Sequence, residues 1–314
     1  MSTPIDRSTA WPFEDGELGA FWYARDGGPT VAEAERRLGE LDAGLALLFP
    51  SGMAASTAVV LALLEPGQTV ALAEGVYYGT GAMLEELAHW GVRRVEFDQT
   101  GQPPVGVDLV WLEAPSNPFL TMPNFETAAA HPARVVCDAT AATPLHVRPL
   151  ERGCDLVVHS ATKYLGGHDD VLAGVVVCRN EEDHARLLEH RTHTGSVTDA
   201  ETAWLLLRGL ETLEVRVARQ TASAQAIAER LREHPAVSTV RYPGFSGLMS
   251  FDVADAEAAR RVETGTRLVV NSTSLGGITS RIEARARWEG GRVPPGLLRL
   301  SVGLEDLEAI WADL

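Results

Sequence analysis

Lysine is almost missing from this chain. Its 314 residues carry 27 basic side chains, and only Lys163 among them is a lysine. Arginine meets every other need for positive charge, so a surviving lysine marks a place where arginine will not serve. A guanidinium stays protonated, whereas a lysine amine can shed its proton and attack a carbonyl. On count alone Lys163 is a candidate Schiff-base nucleophile; a chance surface lysine is the competing reading. Cysteine is scarce as well. Cys137, Cys154 and Cys178 lie in or beside apolar runs without CxxC spacing. That excludes a disulfide framework and a zinc ribbon, and it reads as buried thiols of a reducing, cytoplasmic compartment. No apolar run approaches the roughly 18 residues of a membrane span. The opening MSTPIDRSTAWPFEDG has neither the basic nor the apolar region of a secretory leader. The 9 histidines form no HxxxH or HExxH pair, so no metal site is expected. Positive charge is in deficit, 27 against 43 acidic residues for a net −16, which argues against nucleic acid as a partner.

What is present is an alternation of apolar strands and helical stretches. Strands are expected at TVALAE (69–74), VRRVEF (92–97), DLVWLE (108–113), RVVCD (134–138), DLVVHS (155–160) and AGVVVC (173–178). Helical patterns at 53–64 and 80–90 lie between them. Several strands are apolar throughout, as befits strands covered on both faces. The alternation predicts an α/β fold with a mostly parallel sheet, followed by a smaller α+β region. Ligands of such sheets sit beyond the carboxyl ends of the strands. Glu113, Asp138 and Ser160 end strands there. Upstream, Thr30-Val-Ala-Glu33 reads as a capping box opening a helix that runs through VAEAERRLGELDAGLALL. The long helical pattern from 199 to 233 carries a possible break at Gly209. These changes of pattern divide the chain into an aromatic-bearing arm at 1–30, a large domain at 31–207 and a small C-terminal domain at 208–314.

Lys163 sits in HSATKYLGGHDD, just after an apolar strand, with the hydroxyls of Ser160 and Thr162 beside it. An amine among hydroxyl donors suits a cofactor that carries both an aldehyde and a phosphate, as pyridoxal 5′-phosphate does. The alternative is that both hydroxyls merely satisfy local backbone groups. In FPSGMAAS, the amides of Gly52 and Met53 would open a helix N-terminus, which attracts anions. Asp138 could hold a protonated pyridine nitrogen or simply cap a turn. Tyr77 and Tyr78 could offer a ring to stack on a flat cofactor. Arg299, alone in the apolar run LLRLSVG, wants a carboxylate: an amino-acid substrate's or an internal one.

These residues, in this order, resemble the Cys/Met-metabolism family of pyridoxal-phosphate enzymes, which includes cystathionine γ-synthase, cystathionine γ-lyase, cystathionine β-lyase and methionine γ-lyase. The likeness runs from Phe21 to Leu314. It rests on YAR (23–25), SGMAA (51–55), YYGT (77–80), EAPSNP (113–118), CDATAATP (137–144), HSATKYLGGH (159–168), SLGG (274–277) and LLRLSVGLED (297–306). The resemblance implies fold type I, with the large domain binding the cofactor. It implies Lys163 as the Schiff-base lysine, Asp138 on the pyridine nitrogen and Tyr77 stacked on the ring. Gly52, Met53, Ser160 and Thr162 would hold the phosphate, with Asn117 and Thr140 also on the cofactor. Tyr23 and Arg25 match a pair lent to a neighbouring subunit, so a dimer with shared sites, and in turn a homotetramer, is implied. Arg299 with Ser274 would take the substrate carboxylate, and Thr273 and Tyr78 would border the substrate.

The departures bear on specificity. Ala139 stands where the family usually has Asn, Tyr78 where it has Gly, and Thr273 where cystathionine-handling γ-enzymes often carry Glu. The RYPGFSGLMSFDV stretch also lacks a longer insertion of relatives. The implied activity is elimination of a γ-substituent from an amino acid of the cystathionine, methionine or homoserine-derivative class. Replacement in the manner of cystathionine γ-synthase is the first alternative. A specialised biosynthetic γ-lyase giving an unsaturated product is the second.

Overall fold

The computed structural model describes residues 3–314; Met1 and Ser2 of the expected arm lie outside the described residues. The larger sheet has seven strands: β1 (Leu45–Phe49), β2 (Thr69–Ala73), β3 (Arg93–Phe97), β4 (Leu109–Glu113), β5 (Arg134–Asp138), β6 (Leu156–Ser160) and β7 (Gly174–Cys178). Their order is β1-β7-β6-β5-β4-β2-β3. Neighbours are parallel except around β7, which runs antiparallel to β1 and β6. The second sheet comprises β8 (Thr239–Arg241), β9 (Leu248–Asp252), β10 (Val270–Asn271), β11 (Arg281–Ala284) and β12 (Leu297–Ser301), in the order β10-β11-β12-β9-β8.

All five residues of β4 and of β7 are buried, which explains why both are apolar except for Glu113 at the end of β4. Helices cover both faces of the larger sheet, and two apolar clusters form. One contains Trp111, Leu112 and Val136; the other joins Val157 and Val175 to Leu298 and Leu300 of the second sheet. The second cluster therefore ties the two sheets together.

Two local expectations need correction, and a third holds. The helical pattern starting near Thr30 ends earlier than its periodicity suggested: α1 spans Pro29–Asp42, and LALLF turns off to form β1. Four consecutive apolar residues fit a strand buried on both faces better than one stripe of a helix. The cap is Gly28 followed by Pro29, not Thr30, whose hydroxyl accepts from Asp6 N at 2.8 Å. Gly209 does mark the break in the long helical pattern, with one helix ending at Leu210 and the next starting at Leu213. It is small because an added Cβ would come within 2.4 Å of the Gly166 carbonyl oxygen.

The topology gathers polar residues at one edge. Glu113 and Asp138 are register partners at the ends of β4 and β5. Gly174, at the start of the reversed strand β7, pairs with both Phe49 and Ser160. A Cβ on Gly174 would lie 2.1 Å from the Ser51 carbonyl oxygen, so this glycine lets β7 slide beneath the turn that launches α2 (Gly52–Leu63). Gly174→Ala is expected to cost about 1–3 kcal/mol through overpacking of backbone on backbone. Thermal unfolding would register the loss, and an unchanged melting temperature would show that the turn can move away freely.

Candidate active site

A cavity of about 220 Å³ opens beyond the carboxyl ends of β4, β5 and β6, between the two sheets. Its lining includes Lys163, Asp138, Tyr77, Arg299, Ser160 and Asn117. Gly52, Met53, Thr140, Thr162, Tyr78, Thr273 and Ser274 line it as well. The fold thus brings together every expected site residue except Tyr23 and Arg25. Those two lie on the exposed arm, where the Arg25 guanidinium sits 5.4 Å from the centroid of the Tyr23 ring.

Lys163 follows β6 in a tight turn: its amide donates to Ser160 O at 3.0 Å, and Gly167 N donates to its carbonyl at 2.7 Å. The side chain reaches across to the second sheet's side, where Nζ donates to Ser274 Oγ at 2.9 Å. Burial, with the Arg299 charge nearby, pushes the amine down to about 8. Ser274 itself has φ of +88°, a strained value for a residue with a side chain. That turn lets one residue serve two others, because its carbonyl accepts from Arg299 Nη2 at 3.0 Å.

Among the described residues Asp138 has no cationic side chain in hydrogen-bond contact, and it holds an amide on one oxygen: Thr140 N donates to Oδ1 at 2.9 Å. Burial raises its carboxyl above the ordinary range. A desolvated carboxylate of this kind lacks a positive partner, and a protonated heteroaromatic nitrogen would supply one. Thr140 also positions the next strand, its hydroxyl accepting from Ser160 N at 2.8 Å. Ser51 caps α2 by accepting from Ala54 N at 3.1 Å, leaving the Gly52 and Met53 amides at the helix start. Thr162 is partly spent on backbone: its hydroxyl donates to Ala173 O at 3.2 Å and accepts from Ala173 N at 3.1 Å. A lysine, an unpaired acid and a helix N-terminus in one cavity are the donor set that pyridoxal phosphate requires.

Arg299 answers the question its sequence context left open. Its register partner across β11 and β12 is Glu283, and Nη2 donates to Glu283 Oε1. Nη1 donates to Asn117 Oδ1 at 3.1 Å. Burial lowers the guanidinium to about 10 against the opposing pull of Glu283.

Three further residues have contacts at the site to which sequence reasoning gave no role, although it placed Glu113 at a strand end there. Glu113 lines the cavity and accepts from Tyr77 N at 2.6 Å; burial, then the neighbouring Asp138, raises its carboxyl well above the usual range. Its register with Asp138 was the available signal. Arg285 also lines the cavity, donating to Glu283 at 2.8 Å and to Glu289 at 2.7 Å. Trp288 stacks on Tyr78, with ring centroids 6.2 Å apart and planes 5° from parallel. Its indole donates to Glu283 Oε2 at 2.9 Å. Nothing local in RIEARARWEGGR announces these roles, which depend on where β11 ends.

A mixed α/β sheet with an amine, a carboxylate and an arginine converging at its strand ends defines a fold-type-I pyridoxal-phosphate enzyme. The family model for Cys/Met metabolism PLP-dependent enzymes matches residues 1–314. The chain belongs to that family, and its cofactor is pyridoxal phosphate. It is 38% identical over 325 residues to a putative cystathionine gamma-lyase of Streptomyces coelicolor, covering 94% of this chain and 83% of that one. A crystal structure of metB from Corynebacterium glutamicum superposes with a TM-score of 0.96 at 34% identity, covering 99% and 91% of the two chains. Cystathionine gamma synthase from Xanthomonas oryzae pv. oryzae in complex with cystathionine gives 0.94 at 33% identity, with coverage of 100% and 91%.

The depressed Lys163 amine has a pH signature. In cofactor-free protein, reductive trapping of pyridoxal phosphate on Lys163 should accelerate about tenfold per pH unit up to pH 8 and then level off. A rate still climbing at pH 10 would show an amine of ordinary basicity. The linked stability effect has a definite sign. The folded apo chain binds fewer protons than the unfolded chain between pH 8 and the ordinary lysine value of 10.5, so the penalty for burying the amine is full below 8 and fades as pH rises through that window.

Proposed function

We propose that this enzyme eliminates a γ-substituent from an amino acid of the cystathionine, methionine or homoserine-derivative class. One observation carries the reading: Lys163 and Arg299 meet at the same residue, Ser274, so the base and the carboxylate-binding group flank a single substrate position. Bound pyridoxal phosphate supplies an aldehyde that condenses with amines and a ring that accepts electrons from a deprotonated carbon. Lys163 would act as the base that takes the proton from the substrate's Cα and returns protons further along the substrate's chain. Arg299 binds the α-carboxylate, exchanging its contact with Glu283 for the substrate. Asp138 holds the pyridine nitrogen protonated, and Gly52, Met53, Ser160 and Thr162 receive the phosphate. Asn117 orients both Arg299 and the cofactor. Tyr77 carries a phenol that burial pushes up to about 12, so it rests neutral and can donate its proton to a departing group.

The relatives include enzymes named for elimination and for replacement. Both share the steps assigned to these residues, and they differ in whether a thiol captures the product of γ-elimination before water does. Tyr23 and Arg25, outside the cavity of their own chain, fit a role in the neighbouring subunit's phosphate site. A dimer with shared sites follows from that role, and the family resemblance extends it to a tetramer. Cys137, Cys154 and Cys178 are buried and free, which suits a reducing cytoplasm. Among the described residues no helix is long and apolar enough to cross a membrane.

Incubation with methionine, cystathionine and O-acylhomoserines, with and without cysteine, should release 2-oxo acid and ammonia in the absence of thiol. Products dominated by a new thioether whenever cysteine is present would assign the chain to replacement. Tyr77→Phe should lower kcat by about 10²-fold while the bound cofactor keeps its visible absorbance; full activity would remove Tyr77 from proton transfer. Arg25→Ala should weaken cofactor retention on dialysis, and unchanged retention would argue against a shared site.

A further inference from the structure

Arg285 is a buried guanidinium for which the reaction described above has no use. It is 1% exposed. Two of its nitrogens are committed, Nη1 to Glu283 and Nη2 to Glu289, while Nε is buried with no acceptor. Leaving a charged donor unsatisfied in the interior is costly, which makes it a marker of a missing partner. Arg191 and Arg281 share this orphaned Nε, but of the three only Arg285 lines the cofactor cavity.

The surroundings say what kind of partner is missing. Glu283 is already engaged: Arg299, Arg285 and Thr273 donate to Oε1 and Trp288 to Oε2. Even when Arg299 turns to a substrate carboxylate, Arg285 still neutralises this acid, which leaves it a weak partner for a substrate ammonium. Tyr78, stacked on Trp288, walls the same side of the cavity. With Lys163 and Arg299 converging on Ser274, the α-carboxylate end of a substrate is fixed there, and Arg285 belongs to the remaining polar wall, where the substrate side chain must lie. A guanidinium N–H can only donate, so an ammonium group cannot satisfy it, whereas a carboxylate or carbonyl oxygen can.

We propose that Arg285 is a specificity-determining residue that donates through Nε to an oxygen at the far end of the substrate side chain. It selects oxygen-terminated amino acids over those ending in an ammonium. The inference rests on the cavity being an amino-acid site, as read above, but it does not need turnover.

Three six-carbon amino acids without a γ-leaving group test it on the holoenzyme, with binding read from the cofactor's absorbance. They are 2-aminoadipate, ending in carboxylate, norleucine, ending in methyl, and lysine, ending in ammonium. Wild-type protein should bind 2-aminoadipate about tenfold more tightly than norleucine, as a charge-assisted hydrogen bond would give, and lysine most weakly. Arg285→Met should bring 2-aminoadipate to within about threefold of norleucine, whose own affinity barely moves. If the variant fails to fold, because Glu283 and Glu289 lose their partner, the wild-type order alone decides. Equal binding of 2-aminoadipate and norleucine overturns the proposal, as does a preference that survives in Arg285→Met. Tighter binding of lysine also overturns it, and would assign side-chain recognition to Glu289. Absence of elimination with an intact order would sink the reaction assignment and leave Arg285 standing.

Discussion

The amine of Lys163 is buried against a hydroxyl rather than a carboxylate, and the chemistry of the whole site depends on that choice. A carboxylate at Ser274's place would hold the amine as an ammonium and raise its pKa. A neutral hydroxyl leaves burial to dominate, and the amine falls to about 8. The acids that could have paired with it are engaged elsewhere. Glu283 holds two arginines, Asp169 pairs with Arg281, and Asp138 accepts from the Thr140 amide.

That separation of charge is a property of the two-sheet arrangement. The larger sheet delivers an amine, two acids and a helix N-terminus at one level, because its parallel strands end together. The smaller sheet delivers the guanidiniums. Arg299 and Glu283 face one another on antiparallel strands, so the arginine reaches the cavity already oriented and charge-balanced. An uncompensated buried arginine would be strongly destabilising. Glu283 makes Arg299 tolerable in the folded chain.

Glu283 also explains how the Thr273 departure is accommodated. Where some relatives place an acid just before SLGG, this chain places a threonine whose hydroxyl lies 3.4 Å from Glu283 Oε1. Negative charge is present near that position but is consumed by Arg285 and Arg299. The Tyr78–Trp288 stack fills the space beside it with rings. The Tyr78 and Thr273 departures, far apart in the chain, meet at one cavity, whereas Ala139 lies in the core outside it.

The chain itself was enough to reveal the alternation of strands and helices, the single lysine and the strand-ending acids. Apolar periodicity and residue chemistry are local, and the catalytic amine tolerates no substitute. The same local reading ran α1 through LALL and put a cap at Thr30, since four apolar residues satisfy a helix stripe or a buried strand equally until a sheet is there to receive them. The partners of Arg299, the orphaned Nε of Arg285 and the stacking of Trp288 on Tyr78 were beyond its reach. Those contacts join β4, α3 (Tyr78–Leu87), β11 and β12 across more than a hundred residues of chain. Which charge neutralises which is decided by distance in space, and only the packing of one sheet against the other sets that distance.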